Sequence, residues 1–377
     1  MSERLNGEAV KLPVIGKFMD GRLIYRVPQG VPGRGYIAFG MIDRGTNVLQ
    51  VRPTTICPQN CVFCSVDAGL RSRSRWAEFI VDQQVIVEEV TKAVEEKECN
   101  VEVLLDTVGD VLTYPDLPGL VKSLKSIRSV KTVALETHGM LLTRTLVDKL
   151  AEAGLDRINL SIETLNPDKA KVLYGTPAYD LRRVIDVIEY TIRETPIDVH
   201  VTPVLLPGIN EDDVVEVIKW AIRVGAGKKW PPVTVQKFIK HKYGRGRRIA
   251  EMTWSAFWNY VEKLERELGV KLRWTMNEWG MHYAKRISKI LMKGDLVTVH
   301  IIARGWLRGE YLGLYDSKTL LAVNPGKYRV KIQDSYVVRV VEDKDELYIA
   351  EIVGKPQRST SEVLPNRMVD GSLSLGD

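Results

Sequence analysis

Three of the chain's four cysteines, Cys57, Cys61 and Cys64, stand within eight residues of one another in the stretch TTICPQNCVFCSVDAG (54–69). Thiolates at this density bind soft metals, and so tight a group in a chain otherwise poor in cysteine points to metal or redox chemistry rather than a disulfide framework. The spacing is C-x3-C-x2-C, with no His nearby and the next cysteine at Cys99. A structural zinc site closes with four ligands, commonly paired C-x2-C or His. Three thiolates on one loop suit a [4Fe–4S] cluster instead, leaving one iron without a protein ligand and open to a small molecule. A non-catalytic, zinc-containing RNA-binding protein is the competing reading from another class.

Such a loop needs a frame to hold it. Short β-rich runs occur at 48–55, 101–107, 132–139, 157–164, 198–207 and 233–239. Between them lie segments with apolar residues at helical spacing, such as LRRVIDVIEYTIRE (181–194) and EDDVVEVIKWAIRVG (211–225). Six strands with five intervening helices predict an α/β fold around a parallel sheet, open or partly closed into a barrel. In such folds the site gathers at the C-terminal ends of the strands, and the cysteine stretch directly follows the first of them. Residues 250–290 read as helical and aromatic. From 291 to 354 short strands follow one another with no helix between, which predicts a small antiparallel β-barrel, of which the oligonucleotide-binding fold is one common type. Residues 1–45 form a β-rich extension, 46–290 the main domain with its helical extension, and 355–377 a polar tail expected to be disordered.

At this point the sequence resembles the radical SAM enzymes. Their signature is C-x3-C-x2-C with an aromatic residue before the last cysteine, the place of Phe63. TVGDVLTYPDL (107–117) resembles the family's Gly-Gly-Glu-Pro segment, with Gly109 and Asp110 matching while Val108 and Val111 depart from it. LETHGMLLT (135–143) resembles the turn after the third strand, carrying Thr137, with His138 in place of Asn. INLSIETLNPDKAKVLYG (158–175) resembles the fourth-strand segment with Ser161 and Glu163, and VLLPGINEDDVVEVIKWA (204–221) the loop near the adenine. The resemblance implies a partial (β/α)6 barrel over about 45–240. It implies a [4Fe–4S] cluster on Cys57, Cys61 and Cys64, and S-adenosylmethionine (SAM) contacted by Phe63, Gly109, Asp110, Thr137, Ser161 and Glu163. The implied reaction is reductive cleavage of SAM to a 5′-deoxyadenosyl radical, which needs an electron donor such as ferredoxin or flavodoxin. No catalytic residue beyond cluster and SAM is assigned. With Cys99 alone left over, neither a second three-cysteine cluster nor a mechanism needing two further cysteines fits.

More local readings exist for several of these residues. Asp110 also suits the start of a turn, Asn210 a helix cap, Cys99 a small core position and His138 a hydrogen-bonded loop site.

The stretch QKFIKHKYGRGRR (236–248) carries Lys240, Lys242, Arg245, Arg247 and Arg248 without an acid, and Tyr243 among them. This is the footprint of a phosphate backbone with a stacking surface, and predicts contact with RNA, either tRNA or rRNA. KGDLVTVHIIARGWLRGEYLG (293–313) resembles the TRAM domain of RNA-modifying enzymes, and Arg304, Trp306 and Arg308 combine charge with an aromatic face. The formal net charge of +6 is mild and by itself selects no partner. No apolar run is long enough to span a bilayer and the N-terminus lacks a signal-peptide core, so a cytoplasmic protein is expected. RNA modification is the leading expectation for substrate, and cofactor biosynthesis or peptide modification the alternative.

Overall fold

The structure is a computed structural model that describes residues 11–356. The chain opens with two antiparallel pairs, β1 (Val14–Lys17) with β2 (Leu23–Val27), and β3 (Gly40–Asp43) with β4 (Val48–Arg52). The cysteine loop follows β4. The chain leaves it through β5 (Ala77–Val81), which pairs in parallel with β2. Helices and strands then alternate: α1 (Gln83–Lys97), β6 (Val101–Leu105), α2 (Leu117–Lys125), β7 (Val130–Thr137), α3 (Arg144–Glu152), β8 (Arg157–Leu160), α4 (Pro167–Leu173), α5 (Leu181–Glu194) and β9 (Asp198–Val201). Beyond these come β10 (Val204–Leu205), α6 (Glu211–Val224), β11 (Gln236–Lys237) and α7 (Trp254–Leu268).

The helices form for local reasons. Asp180 caps α5 by accepting the amide of Arg183, and the helix buries Leu181, Val184, Val187, Ile188 and Ile192 at three- and four-residue spacing. The strands they cover, β8 and β9, are buried along their whole length, as a sheet covered on both faces requires.

The main sheet has the order β3-β4-β6-β7-β8-β9 and is parallel from β4 to β9. Its sixth strand is therefore β3, an antiparallel edge, and not the run at 233–239. β9 stops at Val201, and Pro203, with no N–H to donate, interrupts the ladder. The chain resumes as β10 beside β11, held alongside by a Val201–Val233 bridge and by the Gln236 amide donating to the Pro203 carbonyl at 2.8 Å. The expected six parallel strands thus become five, and the expected boundary at residue 45 falls inside one sheet. Within 250–290, expected to be helical, the only helical elements are α7 and a short 3-10 turn at Asn277–Trp279.

Five further strands, β12 (Leu296–Arg304), β13 (Tyr311–Tyr315), β14 (Thr319–Asn324), β15 (Ser335–Glu342) and β16 (Ile349–Gly354), close into a small barrel in the order β12-β13-β14-β16-β15. The β14–β16 pairing is parallel, so the barrel is mixed rather than wholly antiparallel. Val299, Ile301, Leu321, Tyr336 and Val338 fill its interior. Its outer face is also apolar: Ile302, Trp306, Leu312, Leu314 and Leu320 join the core of the main domain. Backbone bonds tie the two together, from Leu12 to Ile302 (3.1 Å), Leu320 to Arg34 (3.0 Å) and Tyr348 to Gly35 (3.0 Å). Most of the polar tail expected at 355–377 lies outside the described residues. Among those described, no helix is long and apolar enough to cross a membrane.

Candidate active site

The cysteine loop is anchored on all sides before any ligand is considered. Thr55 and Asn60 donate backbone bonds to Phe79 (3.0 Å) and Tyr174 (2.9 Å), and the Ile56 carbonyl accepts from Asp110 (2.9 Å). A Cβ on Gly109 would come within 2.2 Å of that carbonyl, so only glycine lets the β6 loop approach. Arg75, wholly buried, pins the loop from behind. Its guanidinium donates to the carbonyls of Thr55 (2.7 Å), Val66 (3.3 Å) and Val108 and to Glu78 (2.9 Å). A buried cation is tolerable only when its donors are met this completely. The Trp306 ring of the small barrel covers it at 5.2 Å.

In front of the loop lies a cavity of about 310 Å3 onto which Cys57, Cys61 and Cys64 all face, with Phe63 between the last two. The thiols are free. Burial, and then the charges of Asp110 and Cys64, push the Cys57 thiol up to about 12; burial and the other two cysteines push the Cys61 thiol well up too. The Ala68 amide donates to Cys64 Sγ at 3.2 Å.

The opposite wall is made by the ends of β6, β7 and β8. Gly109, Asp110, Thr137 and Ser161 reach it. Asp110 is buried and caps the following 3-10 turn by accepting from the Leu112 amide at 3.0 Å. Thr137 Oγ1 lies 3.0 and 2.9 Å from the two Asp110 oxygens, and burial raises the carboxyl's pKa. Ser161 Oγ donates to Glu163 Oε1 at 2.7 Å. Glu163 itself does not reach the cavity. It lies behind Ser161 and His138, fully buried, with Oε2 lacking a hydrogen-bond partner. His138 Nδ1 is 3.0 Å from the Ser161 carbonyl, which leaves Nε2 facing Cys61 Sγ at 3.8 Å. Asn210, expected as a helix cap, makes no capping side-chain bond to α6; its amide reaches the Glu163 carbonyl at 3.1 Å instead.

Two acids on the cavity wall, Asp106 and Glu136, were not among the expected site residues. Asp106 accepts from Gln50 and lies 3.6 Å from Arg52. The Glu136 carboxylate makes no hydrogen bond, and burial, with Asp106 and Glu163 nearby, pushes its pKa up to about 8. The signal was in the sequence: Asp106 directly follows an apolar strand, and Glu136 interrupts the apolar end of another, where site residues of parallel sheets gather.

The basic loop is divided. Lys237 and His241 face the cavity, while Tyr243, Arg245, Arg247 and Arg248 face a separate groove of about 1200 Å3 on the far side of the cysteine loop. Lys240 and Lys242 line neither; the Lys240 amide donates to Glu251, and the Lys242 ammonium lies over the Tyr243 ring. Arg245 is an internal strut: its amide donates to the Cys64 carbonyl at 2.8 Å and its guanidinium to Asp67 at 2.8 Å. Trp306 is buried, Arg304 lies over the Trp76 ring, and Arg308 donates to the Arg73 carbonyl, so these three residues serve the junction between barrel and cysteine loop.

The donor set fits a cluster. Three free thiols share one cavity, those of Cys57 and Cys61 raised in pKa by burial and by neighbouring cysteines, and a bound cationic metal would stabilise the thiolates. Among the described residues no three His, Cys, Asp or Glu side chains converge on a single ion; a four-iron cluster asks for one thiolate on each of three irons.

Comparison with known proteins agrees with this chemistry. The family model of the Radical SAM superfamily matches residues 51–221, the segment that builds the cavity's cysteine loop and strand ends. The chain belongs to the radical SAM superfamily. This family uses a [4Fe–4S] cluster and SAM. The uncharacterized protein MJ0103 of Methanocaldococcus jannaschii is 33% identical over 359 residues, covering 89% of this chain and 82% of that protein. The GTP 3′,8-cyclase of Alkaliphilus metalliredigens is 28% identical over 172 residues, 46% of this chain and 51% of the cyclase. The chain thus spans about half the length of that cyclase. Among solved structures, the FeFe-hydrogenase maturase HydG from Carboxydothermus hydrogenoformans aligns over 62% of this chain and 55% of its own, with 18% identity and a TM-score of 0.47.

Proposed function

We propose that this radical SAM protein acts on a small, polar substrate of the cofactor-biosynthesis kind, within the cavity bounded by the cysteine loop. Cys57, Cys61 and Cys64 hold the cluster. Phe63 shields it from water, and the Ala68 amide bonds to the Cys64 sulfur. Gly109, Asp110, Thr137 and Ser161 meet SAM, with Glu163 orienting Ser161 from behind. When bound, the cluster and SAM supply one-electron cleavage of the sulfonium and, through it, hydrogen-atom abstraction. The chain's own part is to bind, orient and exclude water. Asp106, Glu136 and Lys237 are the polar groups left over on the cavity wall to receive substrate.

The observation that carries the reading is the enclosure of these groups in one cavity of about 310 Å3. That is the lower end of small-molecule sites, about 300–1,000 Å3. Similarity to GTP 3′,8-cyclases supports a nucleotide as the first compound to try. The RNA reading is the second. The exposed Tyr243, Arg247 and Arg248 favour it, but the small barrel lends little, because the outer face of β13, β14 and the end of β12 is buried against the main domain.

The test is 5′-deoxyadenosine formation by anaerobically reconstituted, reduced protein, offered GTP, a ribonuclease-treated low-molecular-weight extract, or bulk RNA. Stimulation by GTP or the treated extract supports the first reading. Stimulation by RNA alone, abolished by ribonuclease, replaces it with the second.

A further inference from the structure

The basic groove lies behind the cysteine loop. No residue lines both it and the cavity. Asn60 and Val62, on either side of Cys61, face the groove, while Cys61 and Phe63 face the cavity, so one layer of chain separates the two. The groove's far rim rests on the cysteine loop itself, through the Arg245 amide on the Cys64 carbonyl.

The groove carries more cations than its acids compensate. Asp67 is the sole acid on its wall, and Asp67 is spent on Arg245 and on the Arg73 and Ser74 amides at 2.8 and 2.9 Å. Arg71 and Arg73 are exposed and have no carboxylate partner among the described residues. Lys171 has one weak pairing, 3.7 Å from the almost fully exposed Asp168. A substrate-binding surface would open toward the reacting atoms. This one shares no lining residue with the cavity and backs onto the cysteine loop through Asn60, Val62 and Arg245.

We propose that this groove docks an acidic, low-potential one-electron carrier protein of the ferredoxin or flavodoxin class. The proposal rests on the radical SAM reading, which requires an electron from outside. In the step the carrier is oxidised by one electron and the cluster is reduced by one; no bond or proton moves. Opposite charge steers such an encounter and accelerates it at low salt. The modest contact area that transient redox pairs need matches a groove rather than a deep site.

The test compares the reconstituted full chain with an Arg71→Glu, Arg73→Glu, Lys171→Glu variant, whose three side chains lie outside the cavity. Two readouts are taken: equilibrium binding of an oxidised acidic ferredoxin, and bleaching of cluster absorbance by reduced ferredoxin or by photoreduced deazaflavin. At low ionic strength the variant is expected to bind ferredoxin at least about tenfold more weakly and be reduced by it at least about tenfold more slowly. The difference should shrink near about 1 M salt, where the Debye length is ~3 Å. Reduction by deazaflavin should be equal in both proteins. Unchanged ferredoxin binding and reduction, with the cluster intact, overturns the docking site alone. Loss of RNA binding in the variant with ferredoxin kinetics unchanged also overturns it, in favour of a nucleic-acid groove. A parent protein that assembles no cluster overturns this proposal together with the reading beneath it.

Discussion

The cavity in front of the cysteine loop and the junction at its edge are built from similar residue types and treat them in opposite ways. At the junction most polar groups are paired: Arg75 has carbonyls and Glu78, Tyr36 donates to Glu310 and receives the Trp306 amide at 2.7 Å, and Arg304 lies over Trp76, while the Trp306 indole N–H alone of these is buried without a hydrogen-bond partner. In the cavity, the Glu136 carboxylate makes no hydrogen bond, Glu163 leaves one oxygen without one, and the Cys57 and Cys61 thiols stand with raised pKa. Unpaired buried polar groups cost stability, so a fold keeps them where a ligand completes them. The junction holds the loop still, and the cavity waits for chemistry.

Mutations should separate these two behaviours. The largest effect belongs to the cavity: Cys61→Ala should lose iron and acid-labile sulfide on reconstitution and form no detectable 5′-deoxyadenosine, while its urea midpoint stays at or above the parent's. A variant that still cleaves SAM would break the assignment of the thiols. At the junction, Trp306→Ala should lower unfolding free energy by about 3–5 kcal/mol, the range for deleting a buried large aromatic, read from denaturant titration. An unchanged midpoint would show that the barrel merely rests on the loop.

Glu136→Gln sharpens the contrast through pH. The carboxyl has an ordinary value of 4.5 and is held near 8 in the fold. Between those values the folded protein keeps a proton that the unfolded chain has lost, so the parent loses stability as pH rises from about 5 to 8 and levels off above. The glutamine variant should lack that decline, a difference of up to about 1.4 kcal/mol per pH unit, measured on metal-free protein. Parallel pH profiles would mean that Glu136 is better solvated than its position suggests. The smallest effect is Arg304→Ala, where loss of the partly exposed stack on Trp76 should cost about 0.5–1 kcal/mol by the same titration and leave cluster content unchanged.

Much of this was legible in the sequence because it is local. The cysteine spacing, the apolar runs that become β4, β6, β7, β8 and β9, and the period of α5 and α6 all follow from neighbours along the chain. The failures are long-range. Nothing near VTVQKFI reveals that Pro203, some thirty residues earlier, denies it a place in the main sheet, or that Gly40–Asp43 takes the sixth place from the other side. Trp306 beside two arginines looks like a nucleic-acid surface until Arg75 arrives beneath it. The basic loop reads as one patch, yet Arg245 is diverted to Asp67 by a contact spanning the whole main domain. Glu163 follows Ser161 at strand spacing, but the strand ends at Leu160, and the turn carries Glu163 behind the wall.

Trp306 also sets an order of assembly. A ribosome delivers the cysteines long before it delivers residue 306, so for most of synthesis the nascent loop has Arg75 but not the ring that covers it. Tyr36 likewise waits for Glu310, and Leu12 for Ile302. Iron delivered to the growing chain would meet an unfinished cradle. The cradle is complete only once the barrel has folded, and a chain cut short before it should keep less iron than the full chain after desalting.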